Sequence, residues 1–395
     1  MERSIFFSAG EPSGDQHAAR LIQALRRRQP QMAFRGFGGP AMELEGCRLD
    51  YELTNLAVMG LVEVAPKLSE FYRVASQAKE IFRQETPDAV VLLDFPGFNW
   101  HIAKRAKACG IPVYYYLPPQ LWAWAPWRLR KVRRYVDKVL CVLPFEYQWY
   151  RERGIDAHYV GHPFFDAVNE QKLDERLLER LRDRQREGNR LVAVLPGSRG
   201  NEVAKNWPLQ LEAIRRLSQR HPDARFLVAC FRDRHGLACR EAMTAADRSL
   251  PIDIFVGKTS EIVEAAECAV MVSGSVSLEL MARGTPAVVL YRLGRIFHAI
   301  ASRLVSINSI TLPNLIANKT LFPEFVSVGD PEPVIRDVVA AADRMLSDAN
   351  YMKELNADLA SLKQMHAMPG ASNTAAERLL SFMCLGESSK ISKAA

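Results

Sequence analysis

The residues best suited to chemistry lie in short polar loops that directly follow apolar runs. Asp94 closes the run Ala89-Val90-Val91-Leu92-Leu93 and precedes Phe95-Pro96-Gly97-Phe98-Asn99. An acid at the carboxyl end of a buried strand opens into the crevice where parallel sheets bind ligands, so Asp94 is a candidate general base. Asn99 is expected to cap the helix that begins there. The loop Gly10-Glu11-Pro12-Ser13-Gly14-Asp15 holds two acids and two glycines, more than a turn requires. Ser13 or Asp15 can cap the next helix, and Glu11 is a second candidate acid.

Two later loops have a different character. Leu195-Pro196-Gly197-Ser198-Arg199-Gly200-Asn201-Glu202 sets two glycines, a serine and an arginine after an apolar run. Gly197, Ser198 and Arg199 make a clamp for a phosphate or diphosphate. Ser273-Gly274-Ser275-Val276-Ser277-Leu278-Glu279 opens a helix with an acid one turn in. Backbone N–H groups around Ser273, Gly274 and Ser275 suit a diphosphate, and Glu279 suits a pair of ribose hydroxyls. Together the two loops describe a nucleotide-diphosphate site that requires no metal.

A third feature is aromatic and basic. Leu117-Pro118-Pro119-Gln120-Leu121-Trp122-Ala123-Trp124 is a stiff loop whose Trp122 and Trp124 rings can stack on sugars or pack inward. A helix over residues 127–136 would turn Leu129, Val132 and Val136 inward and Arg128, Lys131 and Arg134 outward. Such a face is either solvated or meets anionic lipid headgroups, at about 1 kcal/mol per basic residue. No nucleic-acid-binding motif accompanies it, so nucleic acid is not expected as a partner.

These loops need a frame. Strand-like runs over residues 4–8, 33–37, 89–93, 113–117 and 138–142 alternate with helical patterns, the first over residues 16–28 with Ala18, Leu21, Ile22 and Leu25 on one face. Strands this apolar belong in a parallel sheet covered on both faces, and right-handed crossovers make it doubly wound. A charged stretch follows. A second alternation has strands at 191–195, 225–229, 252–256, 268–272 and 287–291, and the tail is helical, broken at Pro369-Gly370. The expected fold is therefore α/β, with two doubly wound Rossmann-like domains facing across a cleft and a helical C-terminal tail. The expected boundaries are a first domain over 1–168, a linker region with a solvated helix over 169–190, a second domain over 191–350, and helices over 351–395 able to pack back on the first domain.

Composition narrows the classes. With 395 residues, 48% of them hydrophobic, two cores are needed rather than one. The formal charge of +7 points to an anionic partner without choosing it. No run approaches the ~20 apolar residues of a membrane span, and the N-terminus has no charged leader before a long apolar run. The seven cysteines are scattered without a CxxC pair, which reads as buried reduced thiols of a cytosolic protein rather than a zinc site. GxxxxGK[ST] is absent, and Gly36-Phe37-Gly38-Gly39-Pro40 lacks the GxGxxG spacing, so neither ATP hydrolysis nor a nicotinamide cofactor is expected.

Several stretches together resemble the lipid-A-disaccharide synthases, an inverting glycosyltransferase family with the two-domain GT-B architecture. They are AGEPSGD ending at Asp15, LAVMGLVE ending at Glu63, DFPGFN beginning at Asp94, WAW at Trp122, LPFE ending at Glu146, VGHP ending at Pro163, LPGSRGNE beginning at Leu195, SGSVSLE ending at Glu279 and LPN ending at Asn314. The resemblance implies that UDP-2,3-diacylglucosamine donates its sugar to the 6-hydroxyl of 2,3-diacylglucosamine 1-phosphate (lipid X). A β-1,6 disaccharide phosphate and UDP form at the cytosolic face of the inner membrane. No cofactor and no metal are implied. The first domain would take the acceptor and the membrane, with Asp94 or Glu11 as base. The second would take the nucleotide sugar, with Arg199, Glu279 and Asn314 at family positions. Acyl chains would call for apolar surface beside basic groups, offered by Met59, by the Trp122–Trp124 loop with Arg128 and Lys131, and by residues 292–304 with Phe297 and Arg303. Some members carry a second acid where this chain has Gly97. An epimerase of UDP-sugars on the same fold, a glycosyltransferase with another lipid-linked acceptor, and a non-catalytic nucleotide-sugar binder are the competing readings. Whether the chain forms a homo-oligomer stays open.

Overall fold

A computed structural model of the protein describes residues 3–57, 68–295 and 309–394. It divides into two compact units, residues 1–166 with 369–395 and residues 167–368.

In the first unit β1 (Ser4–Ala9), β2 (Ala33–Gly38), β3 (Arg48–Glu52), β4 (Ala89–Leu93), β5 (Val113–Tyr116), β6 (Lys138–Cys141) and β7 (Ala157–Tyr159) form one parallel sheet. Its order is β3-β2-β1-β4-β5-β6-β7. The helices between the strands include α1 (Pro12–Arg28), α2 (Leu68–Gln84), α3 (Pro96–Ala108), α4 (Leu129–Tyr135) and α5 (Pro144–Glu152), and α6 (Pro163–Glu170) follows β7 and carries the chain into the second unit. Every residue of β4 and β5 is buried, as strands covered on both faces must be. Aromatic packing fills one side, with Phe6 edge-on to Phe37 and Phe82 at 5.1 and 5.0 Å.

The second unit repeats the plan. After α7 (Glu175–Arg186) come β8 (Arg190–Leu195), α8 (Gly200–Arg220), β9 (Ala224–Cys230), α9 (Asp233–Glu241), β10 (Ile252–Val256), α10 (Thr259–Ala265), β11 (Cys268–Met271), α11 (Val276–Arg283), β12 (Ala287–Arg292), α12 (Leu312–Ala317), β13 (Glu324–Ser327), α13 (Glu332–Ser347) and α14 (Ala349–His366). The parallel sheet runs β10-β9-β8-β11-β12-β13. The helix α7 lies in the stretch expected to be a linker, yet it buries Leu177, Leu178 and Leu181 and packs on α10. The solvated helix expected there is thus only half solvated, and it belongs to the second unit.

The last helix, α15 (Ala371–Ala394), belongs to the first unit. Its N-terminus is capped by the buried Asp166 carboxylate, which accepts from the N–H groups of Gly370, Ala371 and Ser372. Arg28 of α1 donates to Asn373 and Glu377, and Phe382 lies against Tyr114 of β5 at 5.7 Å. Among the described residues no helix is long and apolar enough to cross a membrane.

Each sheet reverses its strand order once, and the reversal places the candidate loops. In the first sheet β1 and β4 are neighbours, with Ala9 opposite Leu93, so the loops that begin at Gly10 and Asp94 emerge side by side. In the second, β8 and β11 are neighbours, with Leu195 opposite Met271, so the loops at Pro196 and Val272 do the same. Such switch points are where doubly wound sheets bind ligands.

Candidate active site

Asp94 does not sit in an ordinary strand-to-helix turn. Asp94 and Phe95 both adopt left-handed backbone, with φ 43° and 44°, a conformation that costs a non-glycine residue about 1–2 kcal/mol. Three neighbours hold the turn. The Asn99 amide nitrogen donates to the carbonyls of Asp94 (2.7 Å), Leu93 (3.0 Å) and Ser8 (3.3 Å), while its oxygen accepts from the Ser8 hydroxyl (2.7 Å). The Tyr115 hydroxyl donates to the Asp94 carbonyl at 2.7 Å, and the Asp94 N–H donates to Leu117 O at 3.2 Å. Asn99 is therefore not the cap of α3: the helix starts earlier, at Pro96, and Asn99 reaches back from its first turn to staple the strand ends. Burial raises the pKa of the Asp94 carboxyl, with the Phe95 N–H pulling the other way. Gly10 is needed opposite this turn, because a Cβ there would come within 2.2 Å of the Phe95 ring. A side chain at Gly97, by contrast, would meet nothing within 4 Å.

Glu11 is exposed at the N-cap of α1, on the loop beside that of Asp94. Asp15 is not a cap of α1. It is buried inside that helix and accepts from the N–H groups of Gly39, Ala41 and Met42 at 2.9, 2.9 and 3.0 Å, so it caps the short helix Pro40–Leu44 instead. The GEPSGD and GFGGP stretches are thereby two halves of one joint.

Residues Leu121–Trp124 form a short helical turn, and α4 follows with Leu129 and Val132 buried as expected. Trp122 is half-buried and edge-on to Phe145 at 4.8 Å. Trp124 and Trp127 stay 38% and 55% exposed, with the Arg128 guanidinium over the Trp124 ring at 4.8 Å. Lys131 is exposed and points its ammonium towards the Trp100 ring. Met59, Phe297 and Arg303 lie outside the described residues.

In the second unit Gly197 takes φ 124°, which the turn before α8 demands. Arg199 is the N-cap of α8, and Glu202, whose part was not foreseen from sequence, organises the loop: its carboxylate accepts from Ser198 N (3.1 Å), Arg199 N (3.2 Å) and the Arg199 guanidinium (2.8 Å). A serine or threonine would have signalled this cap; an arginine with a glutamate three residues on is a quieter form of the capping box. Gly274 and Ser275 are exposed before α11, and Ser273 Oγ donates to Ile310 O at 2.9 Å. Glu279 is buried and its Oε1 accepts from Arg283 at 3.0 Å. Asn314, expected at the nucleotide sugar, is held by its own neighbours. It is 2% exposed, its amide nitrogen donates to Phe322 O and Glu324, and its oxygen accepts from Leu321 N and Phe322 N. It fastens α12 to the strand beside it. Among the described residues no three His, Cys, Asp or Glu side chains converge as a metal site would need.

A family model described as lipid-A-disaccharide synthetase matches residues 5–363. The chain belongs to the lipid-A-disaccharide synthase family. The lipid-A-disaccharide synthase of Syntrophus aciditrophicus is 35% identical over 380 residues, which span 96% of this chain and 97% of that one. Family membership makes this chain an enzyme, a glycosyltransferase. Among solved structures, the UDP-GlcNAc 2-epimerase of Neisseria meningitidis, determined with UDP-GlcNAc bound, superposes with a TM-score of 0.62 at 12% identity, covering 96% of this chain and 99% of that one. A glycosyltransferase of Rickettsia africae gives 0.59 at 12%, covering 97% and 98%. Epimerases and transferases thus share the GT-B fold, and the family rather than the fold decides between them.

Proposed function

We propose that the protein moves the sugar of UDP-2,3-diacylglucosamine onto the 6-hydroxyl of 2,3-diacylglucosamine 1-phosphate, giving the β-1,6 disaccharide 1-phosphate and UDP. The observation that carries this reading is Asp94, a carboxyl drawn out of water and held on a stapled, left-handed turn at a switch point. Desolvation makes it a stronger base than a free aspartate. It takes the proton of the acceptor hydroxyl as that oxygen attacks the anomeric carbon, on the face opposite the departing diphosphate. Glu11, exposed on the adjacent loop, holds an acceptor hydroxyl.

Charge on the leaving UDP is met by Arg199 and by N–H groups around Gly197, Ser198, Ser273, Gly274 and Ser275, donors aimed where negative charge develops. Glu279 takes the ribose hydroxyls through its Oε2. Trp122 and Trp124 line the acceptor side. The exposed Trp127 with Arg128, Lys131 and Arg134 meets the anionic cytosolic face of the inner membrane, where the protein works as a peripheral enzyme.

Incubation with both acylated sugars should give disaccharide and UDP. Asp94→Asn should lower turnover by about 10³-fold with UDP affinity unchanged, and Arg199→Ala should weaken UDP binding together with turnover by about 10²-fold. Full activity in Asp94→Asn would remove the base, and unaltered UDP binding in Arg199→Ala would remove the clamp.

A further inference from the structure

One buried acid is left over from this scheme. Glu146 lies in the first turn of α5 and is 1% exposed. Its Oε1 accepts from the Trp122 indole N–H at 3.1 Å, and its Oε2 from the Val142 N–H at 3.4 Å. One turn further along α5 the Tyr150 hydroxyl donates to Pro119 O at 3.1 Å. Next to Glu146, Phe145 supplies the edge contact to the Trp122 ring. A single helix therefore grips the proline-tryptophan loop at both ends, from below at Pro119 and from the side at Trp122. The same loop begins at Leu117, whose carbonyl accepts from the Asp94 N–H.

We propose that Glu146 is a positioning residue for acceptor recognition, holding the Trp122 indole in place through its carboxyl. This rests on the reading of residues 117–124 as an acceptor surface. A buried carboxyl is an expensive anchor unless it is uncharged. Burial does push its pKa up, to about 8, against the pull of the Trp122 and Val142 donors. The titratable groups around it are Asp94 after β4, Cys141 on β6 and Tyr150 on α5, with Tyr115 of β5 beyond Tyr150, and all of them are acids. An uncharged Glu146 accepts from the indole without setting a second negative charge beside Asp94. Glutamine keeps an acceptor oxygen for the indole and gives up only the long, 3.4 Å contact from the Val142 N–H, so it should serve nearly as well.

The test is kinetic, with the full chain and both acylated substrates. Glu146→Leu keeps the bulk but deletes the acceptor atoms. It should raise the KM for the acceptor about tenfold or more, the fold-change expected when a buried donor loses its partner, with the KM for the UDP donor within twofold. Glu146→Gln should recover the acceptor KM to within threefold. Trp122→Phe, which removes the donor, should match Glu146→Leu, and the double variant should be no worse than Trp122→Phe alone. The urea unfolding midpoint followed by tryptophan emission serves as the folding control, since five of the six tryptophans lie in the first unit with Glu146. If Glu146→Leu fails that control, Glu146→Asp, which withdraws the carboxyl by one methylene, replaces it with the same expected rise. An acceptor KM unmoved by the Glu146 variants while Trp122→Phe raises it, or effects that add in the double variant, would overturn the role of Glu146 alone. An acceptor KM unmoved in Trp122→Phe as well would overturn the acceptor surface on which the proposal rests.

Discussion

Replacing Asn99 by leucine should cost more in catalysis than any other change remote from the reacting atoms. Asn99 is fully buried, and its side chain satisfies the carbonyls of Leu93 and Asp94 and the hydroxyl of Ser8 while sharing a hydrogen with Ser8 O. Leucine fills a similar volume but leaves these groups without that partner, at about 1–3 kcal/mol for each one stranded. The Tyr115 hydroxyl still reaches the Asp94 carbonyl, so that loss is partly covered. A net destabilisation of about 3–5 kcal/mol follows. The two left-handed residues add a direction to the damage. Their strain of about 2–4 kcal/mol is held in place by the staple, so without it the turn relaxes towards extended backbone and carries the Asp94 carboxyl off its mark. A displacement near 1 Å costs about 10²-fold in turnover. Urea unfolding followed by tryptophan emission is a suitable stability assay, since five of the six tryptophans (Trp100, Trp122, Trp124, Trp127 and Trp149) lie in the first unit. The kcat at saturating substrates and the UDP affinity complete the set. An Asn99→Leu protein that loses the stability but keeps kcat within threefold would refute the claim that this staple aims Asp94.

Two further tests probe the first unit. His17 and His162 lie edge-on at 5.9 Å, and burial lowers their pKa to about 4 and about 3, below the 6.5 of an unfolded chain. The unfolded state then binds more protons than the folded one below pH 6.5, so the stability these rings contribute is complete above pH 6.5 and drains away as pH falls towards 4. Urea midpoints should fall across that window and fall less in His17→Gln/His162→Gln; equal slopes would remove the histidines from the account. Flotation on anionic vesicles should depend on Trp127, which is 55% exposed, and on Lys131, with Trp127→Ala/Lys131→Ala weakening it and raised salt reversing it. Binding that ignores both would place the membrane contact elsewhere.

How much of this was legible beforehand can be judged strand by strand. The ten apolar runs read as strands are all strands, and the order of helices between them holds. The three strands that escaped notice are β3, β7 and β13, each at the edge of its sheet. An edge strand pairs on one side only and need not be apolar on both faces. Arg48-Leu49-Asp50-Tyr51-Glu52 and Ala157-His158-Tyr159 accordingly lack the apolar run that identified the others.

The site divides in the same way. The residues proposed to face ligand stand out in sequence because glycine, serine, arginine and acid crowd into a few positions after a strand, and the pairing of β1 with β4 and of β8 with β11 brings their loops side by side. Residues that hold the site together are not visible, because a polar side chain partnered by the backbone of a distant segment has no local signature. Asn99 and Asp15 read as caps, since that is what an asparagine or aspartate near a helix start most often does, and Asn314 is placed at the donor by resemblance alone. Each is a buried staple, and each joins segments that the sequence keeps apart: Asn99 reaches Ser8, Asp15 reaches Gly39, and Asn314 reaches Phe322. A buried amide or carboxylate that satisfies two or three backbone groups stabilises one geometry and no other, because any slip strands all of them at once. The rigidity that the proposed general base and phosphate clamp require is therefore supplied by the residues hardest to recognise, and substitutions behind the proposed site should prove as damaging as substitutions within it.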